Sequence, residues 1–222
     1  MSKPIKNHYK NGNIMRKVYC NDNSEYHNED GPAITYYYEN GKVEYELYYI
    51  NNKLHREDGP ADIDYYENGN IEDESYYINN KRHRYDGPAY ICYYENGNIK
   101  GELYYINGKI HRENGLACLE YFKNGNIKCE QYYTDGKIHK EDGPAEINYY
   151  EFGNVQYEHY YINNNNLTTE YYNYKNKLSK QMVKIESNID KLKIMKIACK
   201  DKNDLELLEI VDNKIITLQL SE

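Results

Sequence analysis

The stretch Leu54–Lys81, LHREDGPADIDYYENGNIEDESYYINNK, decides the fold, because its text recurs along the chain at a fixed spacing of 28 residues. His27, His55, His83, His111 and His139 share that spacing, as do Gly41, Gly69, Gly97, Gly125 and Gly153 and the acidic series Glu46, Glu74, Glu102, Glu130 and Glu158. A period this strict means that each copy is one supersecondary unit contacting mainly its neighbours, so the expected fold is a stacked array.

Within a copy, Asn68-Gly69 separates two runs rich in Tyr and Ile, which predicts a β-hairpin. A type I turn over Glu67-Asn68, with Gly69 in the left-handed position of a G1 bulge, sets Tyr66 opposite Asn70 and Tyr65 opposite Ile71. Carried along both strands, this register gives one apolar face with Ala61, Ile63, Tyr65, Ile71 and Tyr77. In the preceding copy that face holds Ala33, Tyr37, Val43, Tyr45, Leu47 and Tyr49. The other face is then expected to carry Tyr66, Tyr94, Phe122 and Tyr150 in one column, and Tyr76, Tyr104, Tyr132 and Tyr160 in another beside the Glu46 series. These eight aromatics are the candidate partner-binding residues, since tyrosine offers a large amphipathic contact area with little rotamer entropy to lose. The link from Asn79 to Pro88 reads as too long for a tight turn. Its Asp-Gly-Pro is expected to use glycine at positive φ, and the link to fold over an edge or a face.

The chain has 222 residues with 30 Tyr, 2 Phe and no Trp, a bias that the doubled Tyr-Tyr of each copy explains. No h-region opens the chain and no run approaches the ~20 apolar residues of a membrane span, so a soluble, cytoplasmic protein is expected. Cys20, Cys92, Cys118, Cys129 and Cys199 are odd in number and keep no place in the repeat, which argues against disulfides or a zinc site. His8–Ile14 is similar to the second half of a copy and reads as an N-terminal half repeat; five full copies follow to about residue 165. The fourth copy replaces aspartate with Asn114 and proline with Leu116. Residues 1–165 thus form the predicted array, mainly β, and 166–222 a C-terminal cap. There Leu178, Met182, Ile185, Ile189, Leu192, Met195 and Cys199 recur at helical spacing, with Thr168 or Thr169 as N-cap and a possible break at Ser187-Asn188. Leu205–Leu220 fits either a hairpin about Asp212-Asn213 or a helix.

Charge divides unevenly. Residues 1–165 hold 18 Lys+Arg and 27 Asp+Glu within a chain of net charge −8, whereas Lys177–Lys200 holds seven Lys against Glu186 and Asp190. An acidic array opposes nucleic-acid binding, which depends on neutralising phosphates. The basic segment leaves membrane association as an unfavoured alternative.

His55-Arg56-Glu57-Asp58 has no accompanying kinase motifs, and its histidine occurs five times with nearly the same neighbours, while a catalytic constellation is unique; the five histidines are therefore assigned structural roles, as are the five turn glycines. Equivalent residues in adjacent copies lie two strand spacings apart, on the order of 10 Å, too far to share a metal with bonds of ~2 Å. No catalytic residue, metal or cofactor is expected.

The recurring Tyr-Tyr-Glu-Asn-Gly-Asn-Ile, Tyr-Tyr-Ile-Asn-Gly-Lys and Asp-Gly-Pro-Ala resemble the MORN-repeat-variant family, hairpin repeats found in bacterial proteins, some of them antitoxins, and in giant DNA viruses of amoebae and their virophages. The 28-residue form with His-Arg-Glu-Asp-Gly-Pro-Ala is most similar to the viral version, and covers about residues 7–165. It departs from ordinary MORN repeats, which are shorter and centred on Gly-Glu-Trp or Gly-Glu-Tyr. The resemblance implies a non-enzymatic scaffold for protein–protein interaction, in host cytoplasm or virion. The alternatives are an antitoxin-like inhibitor of a partner protein, or a membrane-associated adaptor acting through the basic helix. A monomer is expected.

Overall fold

The computed structural model describes residues 3–220; the side chains of Gln181 and Ile185 lie outside the described set, so the place of Ile185 on the helical stripe is not assigned. Twelve antiparallel strands form one sheet in simple sequence order. They are Ile5–His8, Ile14–Val18, Ile34–Tyr37, Val43–Leu47, Asp62–Tyr65, Ile71–Ser75, Tyr90–Tyr93, Ile99–Leu103, Cys118–Tyr121, Ile127–Gln131, Glu146–Tyr149 and Val155–His159. At ~4.8 Å per strand this sheet is on the order of 50 Å across. The N-terminal segment, expected as half a repeat, supplies both strands of a sixth hairpin, with His8 opposite Ile14.

The turn is built as the sequence predicts. Gly69 has φ +96°, Gly69 N–H donates to Tyr66 O at 2.8 Å, and Tyr66 N–H donates to Asn70 O at 2.9 Å. Beyond it the register departs from expectation. Tyr65 faces Ile71, but Asp64 faces Asp73, which leaves Glu72 as an extra residue in the second strand. Glu44, Lys100, Lys128 and Gln156 are skipped in the same way. An extra residue swaps the faces of everything that follows it. Tyr45 and Leu47 therefore leave the face of Ile63, and Glu46 and Tyr48 join it. Tyr65 Oη confirms the swap by donating to Glu46 Oε2 at 3.2 Å.

The link is also tighter than its length suggests. Tyr77-Ile78 pairs with Lys81-Arg82 in a second, two-residue hairpin, with Asn79 at φ 50° and Asn80 at φ 65°. Two successive positive φ values define a type I′ turn, and its Asn-Asn, Asn-Gly or Asp-Gly text is the usual one. The rest of the link crosses the face of Ile63. It packs so closely that Ala33, Ala61, Ala89, Ala117 and Ala145 have no exposed surface.

Contrary to the sequence expectation, Gly59 and Gly87 do not take positive φ; among the Asp-Gly-Pro equivalents only Gly115 does, at +130°, where Leu116 replaces proline. Gly59 serves by its lack of bulk, since a Cβ there would lie 2.9 Å from Arg56 Cζ.

The C-terminal region is helical throughout, with α1 (Thr168–Lys177), α2 (Lys180–Ile185), α3 (Ile189–Asp201) and α4 (Leu205–Gln219). Ser179, Asn188 and Asp204 cap α2, α3 and α4 by accepting N–H groups of their first turns. The expected Thr168 or Thr169 cap of α1 is replaced by Leu167, which has no side-chain cap bond, and Thr168 Oγ1 instead accepts the N–H of Tyr160 at 3.0 Å. Leu207, Leu208, Val211, Ile215 and Leu218 recur at helical spacing, so Leu205–Leu220 packs as a helix rather than a hairpin. Together with Tyr160 and Ile162 of the last short hairpin, the four helices build the main apolar core.

Candidate interaction surface

Each repeat is held together through its linker. Asn107 N–H donates to His83 Nδ1 at 3.0 Å, and the same bond joins Asn51 to His27, Asn79 to His55, Asp135 to His111 and Asn163 to His139 at 3.1–3.3 Å. The five histidines thus accept with an unprotonated Nδ1, each supporting the tight turn that closes its own repeat. The Nε2 edges of His27, His55 and His139 lean toward the carboxylates of Glu29, Glu57 and Glu141 at 3.6–3.7 Å.

The next residue anchors the linker to the sheet. The Arg56, Arg84 and Arg112 guanidinium carbons lie 3.9–4.1 Å from the ring centroids of Tyr48, Tyr76 and Tyr104, and Lys140 Nζ lies 3.9 Å from that of Tyr132. At this distance a cation is attracted to the negative ring face. Arg56 and Arg84 also donate to Asp58 and Asp86 at 2.8 and 3.0 Å, and those carboxyls are held below the usual carboxylate range by hydrogen bonding to the guanidinium.

The eight sequence-selected aromatics divide between the two faces. Tyr76, Tyr104 and Tyr132 lie half-buried beneath the linker cations, and Tyr160, buried, stacks on Tyr171 at 3.6 Å. Tyr66, Tyr94 and Phe122 lie half-buried on the opposite face, where Tyr66 and Tyr94 Oη donate to Tyr93 O and Tyr121 O at 2.8 and 2.7 Å. Phe122 lacks the hydroxyl, and Tyr150, in the last hairpin, is 54% exposed.

A role for the turn asparagines went unassigned in the sequence. Asn70, Asn98 and Asn126 Nδ2 donate to Glu95 O, Lys123 O and Glu151 O in the next turn at 2.9–3.0 Å, and the repeated Glu-Asn-Gly-Asn text was their signal.

Between successive linkers lie two similar clefts. One of about 650 Å³ is lined by Arg56, Glu57, Tyr76, His83, Arg84 and Tyr85, and one of about 760 Å³, one repeat earlier, by Asn28, Glu29, Tyr48, His55, Arg56 and Glu57.

Five segments of the chain match the family described as MORN repeat variant: residues 33–51, 63–79, 89–113, 117–135 and 145–163. Five hairpins of the array are thus similar to MORN repeat variants. No curated protein matches the chain. The matched segments span the long hairpins and their Tyr-Tyr-Ile strands, so the matching text encodes the sheet; the linkers at His55, His83 and His139 lie between matches and the one at His27 precedes the first.

On the opposite face the second full repeat gathers three carboxylates. Asp64 faces Asp73 across the strands, with Asp62 facing Ser75 next to them. Burial, reinforced by the charge of Asp73, pushes Asp62 up to about 6 and Asp64 up to about 7. Among the described residues no three His, Cys, Asp or Glu side chains converge to hold a metal ion.

Proposed function

We propose that this protein is a non-enzymatic scaffold that holds an extended, basic segment of a protein partner along its row of linkers. The repetition of one cleft at a one-repeat offset carries this reading. Glu57, Asp58, Tyr85 and Asp86, at 83–86% exposure, project from that row and supply acidic groups and an aromatic ring to a bound chain. A repeat array offers such a partner an extended surface with evenly spaced contacts. The match to MORN repeats supports an interaction scaffold, and an antitoxin-like inhibitor would be one form of it. The setting in host cytoplasm or virion, drawn from the resemblance in the linker text, belongs to the same proposal.

The tyrosines beneath the cations contribute to binding indirectly, by fixing the linkers. The membrane alternative has less support. The apolar side of α3 is buried in the cap, Lys193 and Lys196 pair with Glu141 and Asp212, and no described helix is long and apolar enough to cross a membrane.

A photo-cross-linking residue placed at Glu57 or Tyr85 should capture a partner from native cells, whereas one at Glu120 on the opposite face should not. Capture from position 120 alone would move the site to the other face. Purified chain that turned over a substrate would end the scaffold reading.

A further inference from the structure

Among the described residues the twelve-stranded sheet has two free edges, the strand Ile5–His8 and the strand Val155–His159. They are not equivalent. Within the molecule the second strand of each hairpin receives the first strand of the next in one repeated register, such as Tyr45 opposite Asp64, Glu46 opposite Ile63 and Leu47 opposite Asp62. The same joint recurs four more times along the sheet. The free strand Val155–His159 is a second strand that still presents the receiving edge. The free strand Ile5–His8 is a first strand and presents the edge that is received.

We propose that these two edges pair between copies, so that the first strand of one chain continues the sheet of another, head to tail. The internal register then sets Asn7 of the second copy opposite Tyr157, Lys6 opposite Glu158 and Ile5 opposite His159. Four observations favour this occupant.

Charge is the first. The segment before Asn21 contains Lys3, Lys6, Lys10, Arg16 and Lys17 and no acidic residue, while Ala145–His159 contains Glu146, Glu151 and Glu158 and no Lys or Arg. Opposite charges directly across a strand pair are favourable, and complementary ends select this orientation over like-with-like pairing.

The second is the place of Glu158 in its column. Glu46, Glu74, Glu102 and Glu130 each accept a hydroxyl from a tyrosine of the following repeat, at 2.7–3.2 Å. Glu158 has no following repeat, and meets Tyr160 Oη at 3.4 Å. His8 stands in the first hairpin where Tyr65 stands in the third, each opposite the isoleucine after the turn. In the joined sheet His8 of the second copy takes the tyrosine's place beside Glu158, with Lys6 directly across.

The third is exposure. The strand Ile5–His8 is exposed along its length with Ile5 at 58%, and Val155 and Tyr157 are 50% and 40% exposed. Apolar residues on an open strand edge are a template for strand addition.

The fourth is where the helical cap stops. Thr168 Oγ1 takes the N–H of Tyr160, the role that Ala89 O plays for Tyr76 in an internal joint. The cap thus replaces only the residue that would precede the incoming strand. Because the two edges differ, the contact does not close on itself and permits open chains of copies.

Sedimentation velocity on the full chain tests this. The mass should rise with protein concentration at low salt and fall toward one copy at high salt. Lys6→Glu and Glu158→Lys should each remain single copies, with melting temperatures equal to that of the wild type. Their equimolar mixture should associate again, because each offers the charge that the other's end lacks. Wild type that stays single at every concentration in low salt, single variants that associate like wild type, or a mixture that stays single would each overturn the proposal.

Discussion

His83 Nδ1 and the Asn107 backbone N–H, 3.0 Å apart, join the linker that opens a repeat to the tight turn that closes it. Because His83 is 91% buried, its removal leaves the turn N–H without a partner. His83→Ala should cost ~1–3 kcal/mol, read from the denaturant midpoint. Amide exchange should accelerate at Asn107 more than in the sheet strands.

The same bond makes stability depend on acid. Burial, the largest influence, lowers the pKa of His139 below the ordinary imidazole value. A depressed folded pKa means that its contribution is complete above the unfolded value, near ~6.5, and is lost as pH falls through the folded one. The difference in melting temperature between wild type and His139→Ala should therefore narrow on acidification below that range.

Asp64 has the opposite sign. With its pKa raised to about 7, the folded state favours the protonated acid, a contribution complete below the ordinary carboxyl value and lost as pH rises through about 7. Asp64→Asn should raise the melting temperature by roughly 2–4 °C in mildly alkaline buffer, the size expected for about 1 kcal/mol at a half-exposed group. The gain should disappear in acid, where the aspartic acid is neutral. A gain independent of pH would assign the effect to packing instead.

Phe122 interrupts the series in which Tyr38, Tyr66 and Tyr94 donate to the next hairpin's backbone. Phe122→Tyr should supply the missing donor to Tyr149 O and stabilise by ~1 kcal/mol. Thermal unfolding of the single variant measures it.

Two glycines in the third full repeat should differ. Gly97 has φ +87° and open space around its would-be Cβ, so Gly97→Val is penalised by backbone strain alone, ~1–3 kcal/mol. Gly101 lies in a strand, where an added Cβ would meet Cys92 Sγ at 3.2 Å and Leu119 O at 3.4 Å. The sulfur can rotate away, and alanine relieves the strand of glycine's entropy cost, so Gly101→Ala should stay within ~1 kcal/mol of wild type. The reverse order of stabilities would contradict the turn at Gly97.

The hairpin array was legible because Asn-Gly turns and a period of 28 residues are written in residue identity. The bulge was not. Glu72 breaks no alternation that a polar strand end would show, since Asp73 and Glu74 follow it, and only the pairing of Asp64 with Asp73 reveals the extra residue. The misplaced face of Glu46 and Tyr48 follows from that single omission. The second hairpin was overlooked although Asn79-Asn80 is a permissible type I′ pair, because glycine is absent there and present in Asn107-Gly108 and Asp135-Gly136. Of the candidate surface, the tyrosine columns could be read from spacing, but not the cations stacked on them. A pattern along one strand says nothing of what crosses above it.

The fourth repeat has mechanical meaning. Asn114 leaves Arg112 without the aspartate that Arg56 and Arg84 hold, Leu116 replaces the stiff proline, and Phe122 omits a hydroxyl tether to the following hairpin. Neighbouring repeats share one strand ladder throughout, so these local ties are what distinguish one repeat from the next. Under tension applied at the two ends, rupture therefore begins at the fourth repeat, separating a block of earlier hairpins from one held by the helical cap.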